Sequence, residues 1–129
     1  MDHEQVARWL GSYVAAWRSN ERARIEALFT EDAVYRYAPG ETPLVGAAAI
    51  ADSWLEDPDD PQVWQADYEP VAVDGDTAVA VGTSTYTQTE HRPARTYYNC
   101  FVLRFDDAGR CREFTEWYIK APDATEASD

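Results

Sequence analysis

Glu116 stands two residues after Phe114 and two before Tyr118, in a stretch that continues to Lys120. In an extended chain residues two apart share a face, so all three side chains point the same way. If that face is covered, the carboxyl lies among aromatic rings. An apolar wall disfavours the carboxylate form, lifts its pKa toward neutrality and suits the group to give or take a proton. The plainer reading is a structural carboxylate bonded to Asn99, to a tyrosine hydroxyl or to a backbone group. Both readings stay open at the level of the residues.

Other chemistries find less support. The two histidines are His3, at the start of the chain, and His91, in a polar loop beside Arg92, so no metal site is expected. Cys100 and Cys111 form no Cys-x-x-Cys pair and no disulfide framework. Asp32, in Thr30-Glu31-Asp32-Ala33, reads as local turn bonding.

The elements that must position Glu116 follow from periodicity. Residues 3 to 18 place Val6, Trp9, Leu10, Tyr13, Val14 and Trp17 at steps of three and four, the mark of an amphipathic helix. Ser19-Asn20 offers an N-cap for a second, short helix over 21–29, with Ile25, Leu28 and Phe29 on one face. A short strand with Ala33, Tyr35 and Tyr37 in alternation ends at Pro39-Gly40. A third helix starts near Gly46 and stacks Ala47, Ile50 and Trp54. From residue 63 the period changes to two: strands over 63–73, 77–89, 95–105 and 110–120 are separated by turn-forming residues, which predicts an antiparallel meander. Helices followed by strands make an α+β domain with the helices on one face of a curved sheet.

Pairing Phe105 with Arg110 across the turn sets Phe101 opposite Phe114, Asn99 opposite Glu116 and Tyr97 opposite Tyr118. Those six share the face turned to the helices. Tyr98, Cys100, Val102 and Arg104 share the other with Cys111, Glu113, Thr115 and Trp117. Arg112, the nearest cation, lies four residues from Glu116, about 13 Å at ~3.4 Å per residue. The same rule across Asp74-Gly75-Asp76 sets Val73 opposite Thr77, Tyr68 opposite Gly82 and Trp64 opposite Tyr86. Ala78, Ala80, Gly82 and Ser84 then leave room for rings or for a ligand.

The ordered series "AWRSNERARIEALFTEDAVY", "PLVGAAAI", "VDGDTAVAVGTST" and "FDDAGRCREFTEWY" resembles the nuclear-transport-factor-2-like superfamily, in particular its SnoaL-like branch, over residues 5 to 120. The resemblance implies a cone-shaped α+β fold, with N-terminal helices and a curved, mostly antiparallel sheet around a pocket. It also implies frequent dimers through the outer sheet face. Polyketide cyclases, ketosteroid isomerases, scytalone dehydratase and limonene epoxide hydrolase share this fold, as do proteins that only bind. Tyr35 and Tyr37 look like the positions of the epoxide hydrolases' Tyr-x-Asn, and Phe114 and Glu116 like those of their Trp-x-Asp. Their Arg-x-Asp pair has no match in Thr83-Ser84-Thr85-Tyr86. No histidine falls on an inward position for the His-Asp pair of other branches.

The expectation is therefore one SnoaL-like domain over 1–121 with a disordered acidic tail over 122–129. Glu116, Asn99 and Tyr35 are the candidate catalytic residues. Tyr13, Trp17, Tyr37, Trp54, Tyr68, Tyr86, Tyr97, Phe101, Phe114 and Tyr118 are the candidate walls of a pocket for an apolar or polycyclic small molecule, although aromatics at such spacing also serve as ordinary core. Acid or base chemistry of that kind needs no cofactor. The alternative is a non-catalytic binding or dimeric scaffold domain. A net charge of −13 opposes nucleic acid and anionic membrane surfaces. No apolar run approaches the ~20 residues of a membrane span, and the start, without a basic and then apolar segment, suggests a cytoplasmic protein. A homodimer is expected from Tyr98, Val102, Trp117 and Ile119 on the outer face.

Overall fold

Asp2 starts the first helix by a reciprocal cap: its side chain accepts from the Gln5 N–H at 2.8 Å and its own N–H donates to Gln5 Oε1 at 2.9 Å. The computed structural model describes residues 1–122, so from residue 123 onward the expected acidic tail lies outside the described residues. Helix α1 (His3–Ser19) buries Val6, Trp9, Leu10, Tyr13 and Ala16, with Val14 and Trp17 partly covered. Asn20 ends it in the left-handed conformation, φ 54°, its N–H donating to the Ala16 carbonyl. Asn20 therefore closes α1 and does not cap the next helix as expected. Helix α2 (Arg22–Glu26) follows Glu21, which makes no side-chain cap. Phe29, expected on that helix, begins strand β1 (Phe29–Arg36).

A two-residue strand, β2 (Leu44–Val45), precedes α3 (Ala47–Glu56). Gly46 joins them at φ 99°, and its N–H donates to the Ala33 carbonyl at 2.7 Å. A side chain would be strained there and would meet the Glu31 carbonyl at 3.0 Å.

Strands β3 (Trp64–Asp74), β4 (Thr77–Tyr86), β5 (Arg95–Phe105) and β6 (Cys111–Lys120) form the expected antiparallel meander. The spatial order is β2-β1-β6-β5-β4-β3, and β1 runs parallel to β6, so the sheet is mixed and stays open. That parallel pairing has no local signature, because more than half of the chain separates the two strands. Among the described residues no helix is long and apolar enough to cross a membrane.

The register of β5 with β6 differs from the expected one. Phe101 lies opposite Glu116, Asn99 opposite Tyr118, and Tyr97 opposite Lys120. Arg104 lies directly opposite Glu113, the two within 3.8 Å, and Cys100 faces Trp117. The slip is two residues, so each side chain from Glu113 to Lys120 keeps its face. Cys111 is the exception: a bulge at Arg112 turns it inward opposite Phe105, and it is fully buried. Its N–H donates to the Leu28 carbonyl at 2.8 Å, and it pairs with Phe29 at the parallel seam. Both cysteines are free. Arg112 binds Asp76 at 2.6 Å and leaves Glu116 alone.

Across the β3–β4 turn the expected pairs Trp64 with Tyr86 and Tyr68 with Gly82 are present. Val73 pairs instead with Ala78, because a bulge follows Pro70, which has no N–H to give to the ladder. The two ends of the meander differ. At one, the β3–β4 and β5–β6 turns are tied together, with Asp76 accepting from the Phe105 N–H at 2.9 Å as well as from Arg112. The other carries the longer connections 57–63 and 87–94.

An aromatic cluster fills the space between helices and sheet. Trp9 packs edge-on against Phe29 and Phe105, and its Nε1 donates to the Leu28 carbonyl at 3.1 Å. Phe114 lies under Tyr35, the ring centres 4.3 Å apart and nearly parallel, and contacts Phe101 at 4.8 Å.

Candidate functional site

Above this cluster the sheet and helices leave a cavity of about 350 Å³. Its closed end is made by the buried residues Tyr13, Tyr35, Ser84 and Asn99, while Asp57, Arg92, Tyr37 and Tyr118 are exposed at its rim. Period two on β4, β5 and β6 brings Ser84, Asn99 and Glu116 to one surface. Close approach of β3 makes the fourth wall. At Gly82 a Cβ would fall 2.0 Å from the Asp67 carbonyl and 2.5 Å from the Tyr68 ring, so only glycine lets that ring lie over β4.

Glu116 is half-buried, and Oε2 accepts a 2.5 Å hydrogen bond from Asn99 Nδ2. Asn99 sits diagonal to it across the ladder, not opposite, which the two-residue slip accommodates. The Asn99 amide is oriented from its other side, where Oδ1 accepts from Ser84 Oγ at 3.1 Å. Among the described residues no cation pairs with Glu116. Burial pushes its pKa up from 4.5 to about 7, and the Asn99 bond, which favours the ionised form, only partly opposes this.

The tyrosines of the cavity respond in the same sense. Burial, and then the neighbouring tyrosines and Glu116, hold the Tyr13 and Tyr35 hydroxyls well above their ordinary value. Tyr68 is raised by burial and then by Glu116, and Tyr86 is pushed up to about 12 mainly by burial. These phenols remain protonated donors throughout the neutral range. Tyr37 exchanges a 2.8 Å hydrogen bond with Ser53 Oγ. Trp17 Nε1 donates to Asp59 Oδ2 at 3.1 Å.

Of the candidate catalytic residues, Glu116 and Asn99 touch, and Tyr35 lines the same cavity without bonding to either. Tyr13, Trp17 and Trp54 line it from the helices, Tyr37 from just past the end of β1, and Tyr68, Tyr86, Tyr97 and Tyr118 from the meander. Phe101 and Phe114, expected as pocket walls, do not line it: both are fully buried below its floor. Sequence reasoning missed Asn20, Ser53, Asp57, Asp59, Ser84, Arg92 and Arg95 as lining residues. Only Ser84 carried a signal, as one of the small residues on the face of Trp64 and Tyr68. Asn20, Asp57, Asp59 and Arg92 come from helix ends and connections, where periodicity says nothing, while Ser53 lies in α3 and Arg95 opens β5. Among the described residues no three His, Cys, Asp or Glu side chains gather as a metal site.

Comparison with known proteins places this geometry. An LEH-like epoxide hydrolase of M. tuberculosis superposes with a TM-score of 0.67 at 15% identity, over 91% of this chain and 84% of that one. An NTF-2 like protein of unknown function from Burkholderia xenovorans gives 0.67 at 14%, over 93% and 89%. A protein of unknown function with a cystatin-like fold from Methylobium petroleophilum gives 0.65 at 21%, over 96% and 81%. At such identities the likeness is one of fold. No curated protein matches the sequence. Residues 10–114 match the SnoaL-like domain model. With most of its length matched and its helices and mixed sheet arranged as in these neighbours, the chain belongs to the SnoaL-like domain family of the nuclear-transport-factor-2-like superfamily.

Proposed function

We propose that the protein binds an apolar or polycyclic small molecule in the aromatic cavity and moves a proton on it through Glu116, without a cofactor. One observation carries the reading: a carboxyl with a pKa of about 7 sits in the wall of the cavity and, among the described residues, has a single hydrogen bond and no cation beside it. Near neutral pH such a group is divided between base and acid, the condition for efficient proton transfer. Asn99 aims it. Tyr13 and Tyr35, kept protonated, can donate to an oxygen on which charge develops. Isomerisation, ring closure, dehydration and hydration all fit this arrangement. Epoxide opening as performed by the M. tuberculosis neighbour is less favoured, since the Arg-x-Asp expected on β4 in such enzymes is missing from Thr83-Ser84-Thr85-Tyr86.

The alternative, a scaffold whose interior is filled by its own side chains, fits less well with an open space of about 350 Å³ reaching Glu116. In either case we place a second copy on the outer sheet face, where Tyr98, Trp117 and Ile119 are 54%, 46% and 71% exposed. Exchange of the α-protons of a bicyclic ketone such as tetralone, followed by NMR in heavy water, tests the proton-transfer step. The wild-type protein should exceed the buffer rate and Glu116→Gln should return to it. Equal rates for the two proteins would refute the role of Glu116.

A further inference from the structure

We propose that Arg95 is the anchor for a carboxylate carried by the ligand, so that the cavity selects elongated aromatic or polycyclic acids. The inference rests on the ligand-binding reading above and names the class of molecule it concerns. Arg95 opens β5 and lies directly opposite Tyr86 in the ladder. Its guanidinium sits 4.1 Å from the centre of the Tyr86 ring, which fixes the plane of the fork. The residue lines the cavity and is half-buried. Yet among the described residues it forms no ion pair, and its buried Nε finds no acceptor. In a protein of net charge −13, a half-buried arginine without an acid is unusual. The Nε is closed off by the fold, but Arg95 lines the cavity and no side-chain or carbonyl acceptor among the described residues takes a hydrogen bond from its guanidinium, so the cavity side of the fork is left for an acceptor from outside the chain.

Two acids share the rim, and neither answers that need. Asp57 is exposed to water, and Asp59 already accepts from Trp17 at 3.1 Å. Neither forms an ion pair with Arg95, whereas Arg92 also lines the cavity and adds to its positive charge. A planar, singly charged carboxylate matches one guanidinium fork. A dianion would face the acidic surface with too little compensation. Geometry also sets a length. Arg95 and Asn99 are four residues apart on one strand, about 13 Å at ~3.4 Å per residue. A molecule held at Arg95 must therefore reach past Tyr86 and Tyr97 to present its reacting carbon to Glu116, as a fused bicyclic or tricyclic acid can.

The test compares naphthoate with naphthamide, which share a ring system and differ in charge. Their affinities are measured by titration calorimetry at about pH 6, where most Glu116 side chains are neutral. The wild-type protein should bind the acid about tenfold more tightly, the ratio expected of one charge-assisted hydrogen bond. In Arg95→Met, whose stem still packs on Tyr86, the preference for the acid should vanish, the acid losing more affinity than the amide. Arg95→Gln repeats the measurement should the first variant fold poorly. Equal affinities in the wild-type protein, or a preference that survives in the variants, would overturn the anchor and leave the cavity reading standing. Failure of both probes to bind at millimolar concentration would overturn the cavity reading and the anchor with it.

Discussion

Replacing Glu116 with glutamine should make the protein more stable, by an amount that is absent in acid, grows as pH rises from 4.5 and is complete above about 7. The folded-state pKa of Glu116 is about 7 against an ordinary 4.5, which corresponds to about 3 kcal/mol of preference for the protonated form. Below the lower value the carboxyl is protonated whether the chain is folded or not, and the wild-type protein carries no penalty. As pH rises from there to about 7, the unfolded chain releases its proton while the folded one retains it, so stability falls. Above that the deficit is constant. Glutamine is neutral throughout, and its Oε1 can still accept from Asn99 Nδ2. Urea unfolding of both proteins should therefore give similar free energies at about pH 4 and a variant more stable by about 3 kcal/mol at about pH 8. Other titrating groups are common to both chains and cancel in the difference. A stability difference independent of pH would show that Glu116 is hydrated like a surface glutamate, and the argument from burial would fail.

Removing the amide in Asn99→Ala takes away the one bond that favours the ionised form, so the Glu116 pKa measured by carbon NMR should rise further; a fall would mean that burial is not the dominant cause. Gly82→Ala puts a methyl group 2.0 Å from the Asp67 carbonyl, and forcing β3 away from β4 should lower stability by at least ~2 kcal/mol, read as a fallen melting temperature; an unchanged one would refute the close approach. Sedimentation should find a dimer at micromolar concentration that Ile119→Asp converts to monomer without altering the circular dichroism, and a monomeric wild-type protein would remove the outer face as an interface.

Period and alternation made the helices, the meander and the inward face of Glu116 legible, because a carboxyl two residues from Phe114 must follow the phenylalanine. The register was legible only in parity. Turn residues between β5 and β6 fit more than one pairing, and the choice is made by Cys111 bonding to Leu28, a contact with the far end of the chain. Hence the Asn99 contact with Glu116 was reached through a pairing that does not exist, and survives because a slip of two returns each residue to its face. The parallel seam of β1 with β6 was illegible for the same reason. At the site, aromatic walls on regular elements could be read, while Arg95 and Asp59 could not, since nothing in a strand's period tells which charged residue near its end bends over a cavity.

The contrast between the two ends of the meander bears on how such a chain can diversify. Strand pairing is secured at the end where Asp76 holds Arg112 and the Phe105 N–H. The segments 57–63 and 87–94, which contribute Asp59 and Arg92 to the cavity rim, lie at the other. Insertions or exchanges in those segments would alter which molecules enter while leaving the determinants of folding untouched. Part of the ligand preference can thus change without touching the residues that secure the fold, so that relatives with the same framework can differ in what they admit through changes in two short stretches.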